Sequence, residues 1–160
     1  MSELRIGLGV DAHAFEDGVP LVLGGVPIEH PRGLAGHSDG DVIAHALTDA
    51  VLGAAGLGDI GALFPSGDDR WHGADSLDLL RDAYAHVRDA GYALVNADCV
   101  LIGEEPRIAG HRAEMRGRLA AALGVEPERV NVRATTTDLL GFTGRGEGLA
   151  AEAVALLERT

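Results

Sequence analysis

The sequence predicts an α+β fold, an α/β two-layer sandwich in which a mixed sheet is packed on one side by helices. Segments with strand periodicity are separated by segments with helix periodicity, an order typical of such layered folds. The chain has 160 residues, of which 46% are hydrophobic and 24% charged, as in ordinary globular proteins. We therefore expect residues 1–160 to form a single domain.

Extended segments dominate the predicted N-terminal region. Between Arg5 and His13, apolar residues alternate with glycines and polar residues, the period of a strand. A run over 20–28, interrupted by two glycines, is expected to be the hairpin partner of that strand. Ser38 with Asp41 three residues later is typical of a capping box, so a helix should begin at Ser38.

The rest of the chain is predicted from periodicity and from glycine and proline positions. A glycine-rich loop over 56–73 is long enough to be functional. The elements expected after it are a helix from Ser76 to about Gly91, a strand over 92–102, a helix over 112–123, a strand over 130–134 and a C-terminal helix over 149–159.

Composition restricts the function. The 13 basic residues are all Arg, and against 25 acidic residues they give a net charge of −12. This acidity disfavours binding to nucleic acid or to an anionic membrane surface, and it conflicts with binding a phosphorylated substrate. Cys99 is the single cysteine, so no disulfide forms within the chain, and no segment has the roughly 20 apolar residues of a membrane span. We expect a cytoplasmic protein.

Asp11 and His13 are the first candidate metal ligands. Alternate residues of a strand project from the same face, so this carboxylate and imidazole converge. His45, between Asp41 and Asp49 on the predicted helix, would complete a three-ligand site with an open fourth position, as in catalytic zinc sites. The alternative for Asp11 and His13 is the polar face of an edge strand. The alternative for His45 is an ordinary solvated helix face.

Candidate phosphate ligands occur at two other places. His37 and Ser38 precede the predicted helix, whose N-terminus attracts anions, although Ser38 could simply cap the helix. Residues 135–138 place three hydroxyls and a carboxylate at a strand end, where they could hold phosphate oxygens and a hard cation. The glycine-rich segment 141–148 is not a dinucleotide fingerprint, because it does not follow the first strand of a βαβ unit.

Several motifs together resemble the family of 2-C-methyl-D-erythritol 2,4-cyclodiphosphate synthases. They are Asp11-Ala12-His13, residues 37–42 with His45, residues 57–61, residues 134–137 and residues 144–148. They occur in order and span nearly the whole chain. The resemblance implies a phosphorus–oxygen lyase that cyclises 4-diphosphocytidyl-2-C-methyl-D-erythritol 2-phosphate and releases CMP, in the non-mevalonate route to isoprenoids. It also implies a homotrimer with active sites between subunits.

The resemblance assigns roles to residues. It implies zinc on Asp11, His13 and His45, and Mg²⁺ or Mn²⁺ bridging the substrate phosphates near Asp138. His37 and Thr136 would stabilise the transition state. The residues implied to bind substrate are Ser38, Asp59, Ile60, Gly61, Phe64, Asp68, Gly103, Pro106, Arg107, Ile108, Ala109, Thr135, Thr137, Phe142 and Arg145. Phe142, Arg145 and Glu147 would surround the threefold axis, where some members bind an isoprenoid diphosphate.

Three positions depart from the family pattern. Asp138 stands where Glu is commoner, Leu139 where Lys is frequent, and Ser66 where Asp is frequent. Glu104 and Glu105 also place negative charge near the implied nucleotide pocket. Two other functions remain open at this stage: a zinc-dependent phosphohydrolase with the same ligands, and a trimeric isoprenoid-diphosphate-binding protein without catalysis.

Overall fold

The computed structural model describes residues 2–65 and 67–160, except for the side chain of Trp71. Within these ranges the strands are β1 (Leu4–Asp17), β2 (Leu21–Leu23), β3 (Val26–Ile28), β4 (Arg32–Leu34), β5 (Tyr92–Ile102), β6 (Val130–Thr135) and β7 (Gly148–Arg159). The helices are α1 (Val42–Ala54), α2 (Ile60–Leu63), α3 (Ser76–Asp89), α4 (Arg112–Leu123) and α5 (Gly141–Gly144).

The main sheet has five strands in the order β4-β1-β7-β5-β6. β5 and β6 run parallel, whereas β7 pairs antiparallel with both β1 and β5, so the sheet is mixed. α1 packs against β1 and β7, α3 against β5, and α4 against β6. The predicted mixed sheet covered by helices is therefore confirmed. Among the described residues, no helix is both long and apolar enough to cross a membrane.

β1 and α1 are in backbone contact. Gly7 and Gly9 lie on the inner face of β1, and a Cβ on Gly9 would overlap the carbonyl group of Ala46 in α1. The apolar side chains of the strand consequently point away from the helices, with Ile6 73% and Leu8 63% exposed. The outer face of β1 is therefore an unusually apolar surface.

Replacing Gly9 by Ala should lower the free energy of unfolding by at least about 3 kcal/mol, because the added methyl group forces β1 and α1 apart. Denaturant unfolding monitored by circular dichroism measures this loss. Gly53→Ala is the matched control: it adds the same methyl group to the exposed side of α1, where space is open, and should stabilise by about 0.5–1 kcal/mol. Equal stability of the two variants would contradict the backbone contact.

The predicted C-terminal helix over 149–159 is wrong, because this segment forms the strand β7. Burial alternates along this segment, with the small residues Ala151, Ala153 and Ala155 buried and Glu152 and Val154 exposed. β7 lies between β1 and β5 and pairs with both. Tertiary pairing thus overrides the helix propensity of alanine, and the small side chains let α1 approach the sheet.

The N-terminal predictions also need two corrections. The run over 20–28 is not the partner of β1, because β2 and β3 pair with each other in a separate two-stranded sheet. Helix α1 begins at Val42 rather than Ser38, and its N-cap is Asp41. The Asp41 carboxylate is fully buried and accepts hydrogen bonds from the backbone N–H groups of Ala44, Gly24 and Gly25, at 3.1, 2.9 and 2.7 Å.

The central predictions agree with the structure. α3 begins at Ser76, β5 spans Tyr92–Ile102, and α4 ends at Leu123, followed by Gly124 in the left-handed conformation at φ 66°. β6 extends the predicted strand to Thr135. The loop over 56–73 holds the single-turn helix α2 and a 3-10 turn at Asp69–Trp71.

Candidate functional site

β1 and α1 bring the three predicted metal ligands together. Asp11 and His13 lie on the helix-facing side of β1, opposite His45 of α1. Asp11 Oδ2 is 2.9 Å from His13 Nε2 and 3.1 Å from His45 Nδ1. One ligand atom from each residue lies within 4.8 Å of the other two. His45 is only 9% exposed, so the alternative of a solvated helix face is wrong.

The hydrogen bonding of His13 shows what this cluster can hold. His13 Nδ1 lies 2.5 Å from the carbonyl oxygen of Ala35, which can only accept, so Nδ1 carries the hydrogen. In the neutral ring, Nε2 then has no hydrogen and carries a lone pair. Nε2 is buried, and apart from the Asp11 carboxylate oxygen 2.9 Å away it has no polar partner within the described residues. A lone pair facing a carboxylate oxygen is the donor chemistry of a metal cation site.

The carboxylate of the cluster is charged at neutral pH. Burial opposes ionisation of Asp11, but the contacts with His13 and His45 outweigh it and lower its pKa to about 2. The carboxylate in turn raises the pKa of His13, against the effect of burial. The cluster therefore presents one anionic and two imidazole ligands, as the sequence predicts.

The flanking carboxylates of α1 do not orient His45. Asp41 binds backbone N–H groups, and Asp49 accepts a hydrogen bond of 2.7 Å from the backbone N–H of Ile60. His45 Nε2 instead lies 2.8 Å from the hydroxyl oxygens of both Ser38 and Ser76. The contacts of His45 Nε2 are therefore with two serine hydroxyls and not with Asp41 or Asp49.

The cluster opens into a cavity of about 420 Å³. Its lining residues are Asp11, His13, His37, Ser38, His45, Ile60, Gly61, Phe64, Pro65, Gly67 and Leu79. His37 Nε2 is buried without a hydrogen-bond partner in the described residues, and its ring contacts that of His72 at a centroid distance of 5.0 Å. The His37 ring therefore lines the same cavity as the candidate metal ligands.

Two predicted substrate ligands lie outside this lining. Asp59 caps α2 by accepting a hydrogen bond of 2.8 Å from the backbone N–H of Ala62. Asp68 forms an ion pair with Arg70 at 2.6 Å, and this contact lowers the pKa of the carboxyl group. The departure noted at Ser66 falls outside the described residues.

A second cavity of about 300 Å³ gathers the residues implied to bind the nucleotide. It is lined by Gly103, Glu104, Pro106, Arg107, Ile108, Ala109, Arg112, Ala134, Thr135 and Thr136. The first and second cavities share no lining residue. Each cavity therefore collects a different subset of the predicted site residues.

The two subsets lie at the same end of the sheet but on different strands. Ala12 of β1, Ala150 of β7, Ile102 of β5 and Thr135 of β6 pair successively in one row across the sheet. Three interstrand spacings separate β1 from β6 along that row, about 14 Å. His13 and Thr136 each lie one residue beyond this row, so the same three strand spacings separate them within a single chain.

The remaining predicted site residues lie elsewhere. Asp138 is exposed at φ 52° and belongs neither to the metal cluster of the described residues nor to either cavity lining. Thr137 Oγ1 donates to the carbonyl oxygen of Leu140 at 2.7 Å. Phe142 is 43% exposed, and Arg145 forms a two-point ion pair with Glu147 at 3.1 Å.

Three residues of the site were missed from the sequence. Glu104, whose charge had no explanation, accepts a hydrogen bond of 3.1 Å from the backbone N–H of Thr137 and so ties the 103–109 loop to the threonine segment. Ser76 contacts His45, and Asp39 binds Ser76. Ser76 is 37 residues from Asp39 and 31 from His45, so local periodicity carries no signal for these contacts.

Comparison with known proteins identifies the family. The profile of the YgbB family matches residues 4–158. The chain belongs to the YgbB family. It is 60% identical to the 2-C-methyl-D-erythritol 2,4-cyclodiphosphate synthase of Moorella thermoacetica over 154 residues, which are 96% of this chain and 94% of the relative. The resemblance drawn from the motifs is thus confirmed.

Solved structures of related proteins have the same fold as this member of the YgbB family. The bifunctional IspDF of Campylobacter jejuni matches all of this chain with a TM-score of 0.96 and 44% identity, although the match covers 43% of that longer protein. A structure of 2C-methyl-D-erythritol-2,4-cyclodiphosphate synthase in a CDP-bound form has a TM-score of 0.87 and 41% identity, with 96% of this chain and 99% of that one covered.

Proposed function

We propose that this protein converts 4-diphosphocytidyl-2-C-methyl-D-erythritol 2-phosphate into 2-C-methyl-D-erythritol 2,4-cyclodiphosphate and CMP, as a metal-dependent phosphorus–oxygen lyase of isoprenoid biosynthesis. The observation that carries the proposal is the convergence of Asp11, His13 and His45 beside His37 and Ser38 in one cavity. The names of the relatives support the reaction. The lone thiol Cys99 is buried, and a reducing cytoplasm suits it.

The reaction is an intramolecular displacement. An oxygen of the 2-phosphate attacks the β-phosphorus, and the bond from the β-phosphorus to the oxygen shared with the α-phosphate breaks, so that CMP leaves with the α-phosphate. Nucleophile and electrophile belong to one molecule, and the gain in rate comes mainly from orientation. When bound on Asp11, His13 and His45, zinc supplies Lewis-acid stabilisation of phosphate charge, as does Mg²⁺ or Mn²⁺ near Asp138.

The residues of the chain hold the reacting groups. His37, with its free buried nitrogen, and the Ser38 hydroxyl donate to phosphate oxygens as charge builds in the transition state, and Thr136 does so from the nucleotide half. Asp59 with the backbone of Ile60 and Gly61 binds the erythritol hydroxyls, beside Phe64 and Asp68. The segment Gly103–Ala109 binds the cytosine, beside Thr135 and Thr137.

The proposed active unit is a homotrimer. Leu4, Ile6, Leu8 and Val10 are 58, 73, 63 and 56% exposed, and they form one apolar stripe on the outer face of β1. Burial of this stripe against further copies of the chain would remove it from water. Because about 14 Å separates the two halves within one sheet, we place the second half of each active site on a neighbouring subunit.

The trimer also gives a place for Phe142, Arg145 and Glu147, which we expect around the threefold axis. An isoprenoid diphosphate bound there would compete with Glu147 for Arg145, since the two side chains form an ion pair.

The reaction assay combines the purified protein, zinc, and Mg²⁺ or Mn²⁺ with the cytidine-linked substrate. We expect equimolar CMP and cyclic diphosphate by ³¹P NMR. In water enriched in ¹⁸O, a cyclisation leaves the products unlabelled, whereas a phosphohydrolase incorporates solvent oxygen. Labelled products would favour the hydrolase, and no turnover with all metals restored would overturn the proposed activity.

Zinc affinity should depend on pH with a definite sign. The Asp11 carboxylate raises the pKa of His13, so a proton competes with the metal for Nε2 at and below neutral pH. Asp11, with a pKa of about 2, stays ionised throughout this range. Zinc affinity should therefore fall by about tenfold per pH unit below the pKa of His13. Calorimetric titration between pH 5.5 and 8 measures it, and a flat profile would contradict competition at His13.

Replacing Glu104 by Ala should weaken CDP binding by about fivefold to thirtyfold, because the Thr137 N–H loses a charged acceptor and the threonine segment loosens. Glu104→Gln keeps an oxygen acceptor and should lose no more than about fivefold. Isothermal titration with CDP compares the variants. If both variants bind CDP as the native protein does, Glu104 does not position this half of the site.

A further inference from the structure

The hydrogen bonds behind His45 form a chain that ends on a carboxylate. Ser76 Oγ contacts Asp39 Oδ1 closely, and the Ser76 backbone N–H donates to Asp39 Oδ2 at 3.0 Å. Asp39 Oδ1 also accepts from the backbone N–H of Asp41 at 3.0 Å. Asp39 is therefore held from both sides, by the N-terminus of α3 and by the start of α1.

This chain of hydrogen bonds determines whether the Ser76 hydroxyl acts as a donor or as an acceptor toward His45. A carboxylate only accepts hydrogen bonds, so the single hydrogen of the Ser76 hydroxyl is directed to Asp39. Ser76 Oγ is then an acceptor toward His45 Nε2, 2.8 Å away. In the neutral imidazole, His45 Nε2 then carries the ring hydrogen, and Nδ1, 3.1 Å from Asp11 Oδ2, keeps its lone pair for a cation held between the two atoms.

We propose that Asp39 and Ser76 are positioning residues that hold His45 in the Nε2–H tautomer, so that Nδ1 is the metal ligand before any metal arrives. His13 reaches the complementary state through Ala35, whose carbonyl oxygen takes the Nδ1 hydrogen and leaves Nε2 free. Both imidazoles therefore present unprotonated nitrogens to the same point. Without this control, a hydrogen on His45 Nδ1 would be donated to Asp11 and would block the site.

Ser38 gives the matched comparison. Its hydroxyl oxygen is also 2.8 Å from His45 Nε2, but it has no hydrogen bond to a carboxylate among the described contacts, and Ser76 Oγ lies 3.4 Å from it. Ser38 can adapt to either tautomer, whereas Ser76 cannot. Because Ser38 is not required to donate to His45, its hydrogen stays available to a ligand in the cavity.

The test rests on the metal site of the proposed function but begins with the metal-free protein. Two-bond ¹H–¹⁵N spectra report the protonated nitrogen of each histidine ring, and the His45 signals are assigned by their loss in His45→Gln. The native protein and Ser38→Ala should show hydrogen on His45 Nε2. Ser76→Ala should show a mixture of tautomers, part of it with the hydrogen on His45 Nδ1. Asp39→Asn keeps the Ser76 hydroxyl but removes the negative charge beside it, and it should show a smaller shift in the same direction.

Zinc affinity is the second readout. Ser76→Ala should bind zinc about 10 to 100-fold more weakly and Asp39→Asn less severely, while Ser38→Ala stays within about threefold of native. Unchanged tautomer and affinity in both Ser76→Ala and Asp39→Asn, or an equal switch in Ser38→Ala, would overturn the inference. If the native protein binds no zinc, the metal site of the proposed function fails, and the metal-free spectra still decide the tautomer.

Discussion

The His13→Ala variant should remain folded and keep the proposed trimeric assembly while it loses tight zinc binding and slows CMP release by at least about 10³-fold. One unit of positive charge about 4 Å from a phosphate oxygen contributes about 4 kcal/mol at an effective dielectric constant near 20, which corresponds to this factor. The fold should persist, because His13 lies at the cavity and not in the hydrophobic core formed by the buried residues.

Metal analysis after dialysis and a CMP-release assay measure the two losses of the His13 variant. His86→Ala is the control, since His86 is an exposed histidine of α3, outside both cavity linings, whose Nδ1 lies 2.8 Å from the carbonyl oxygen of Asp82. It should keep native zinc content and rate. Full zinc occupancy in His13→Ala would remove His13 from the ligand set, whereas lost zinc with an unchanged rate would separate the metal from the reaction.

The proposed dependence on metal would resolve the conflict between a net charge of −12 and the proposed substrate, which is rich in phosphates. The acidic Asp11 lies in the cavity proposed for the phosphates, and its low pKa keeps it anionic there. Bound cations would reverse the local charge. Chelation should therefore prevent substrate binding as well as turnover, and this follows from charge alone.

The candidate metal ligands were predictable because each lies in a locally readable pattern. Asp11 and His13 share a strand face by the two-residue period, and His45 belongs to a helix with a clear apolar stripe. The orienting residues Asp39 and Ser76 had no such pattern. They meet because the first residue of α3 packs against the loop that precedes α1, and this contact depends on tertiary packing.

The orientation of β1 shows a second limit of sequence reasoning. Its alternation predicts a strand, yet the usual expectation that apolar side chains face the helices fails here. Gly7 and Gly9 allow backbone contact with α1, which leaves Ile6 and Leu8 on the outer face. The close packing of α1 also requires small residues on β7, and these residues are alanines. Because alanine favours helices, the composition of this strand is typical of a helix. Both features follow from the close approach of α1.

Replacing Leu8 by Glu should convert the proposed trimer into single chains and reduce CMP release by at least about a hundredfold. The carboxylate would have to be buried in an apolar interface without a partner, which costs several kcal/mol for each subunit. Leu8 is exposed in the single chain, so the substitution should leave the fold intact. Sedimentation analysis gives the mass, and Ala121→Glu, on the exposed side of α4, is the control that should stay trimeric.

Zinc content distinguishes this variant from His13→Ala. Asp11, His13 and His45 belong to one chain, so Leu8→Glu should keep zinc while losing assembly, and His13→Ala should lose zinc while keeping assembly. Both should lose CMP release, for different reasons. A monomeric Leu8→Glu protein with native activity would show that one chain carries a complete site.

Mixed trimers test directly whether two subunits complete each site. Co-expressed His13→Ala and Thr136→Ala chains would each lack a different half, so an interface that joins an intact metal half to an intact threonine half should recover activity. Random assembly yields such interfaces about one time in four, since each half must come from the appropriate chain. Co-expressed His13→Ala and His45→Ala chains are damaged in the same half and should recover nothing. Recovery in the first mixture alone requires that the two halves meet across subunits.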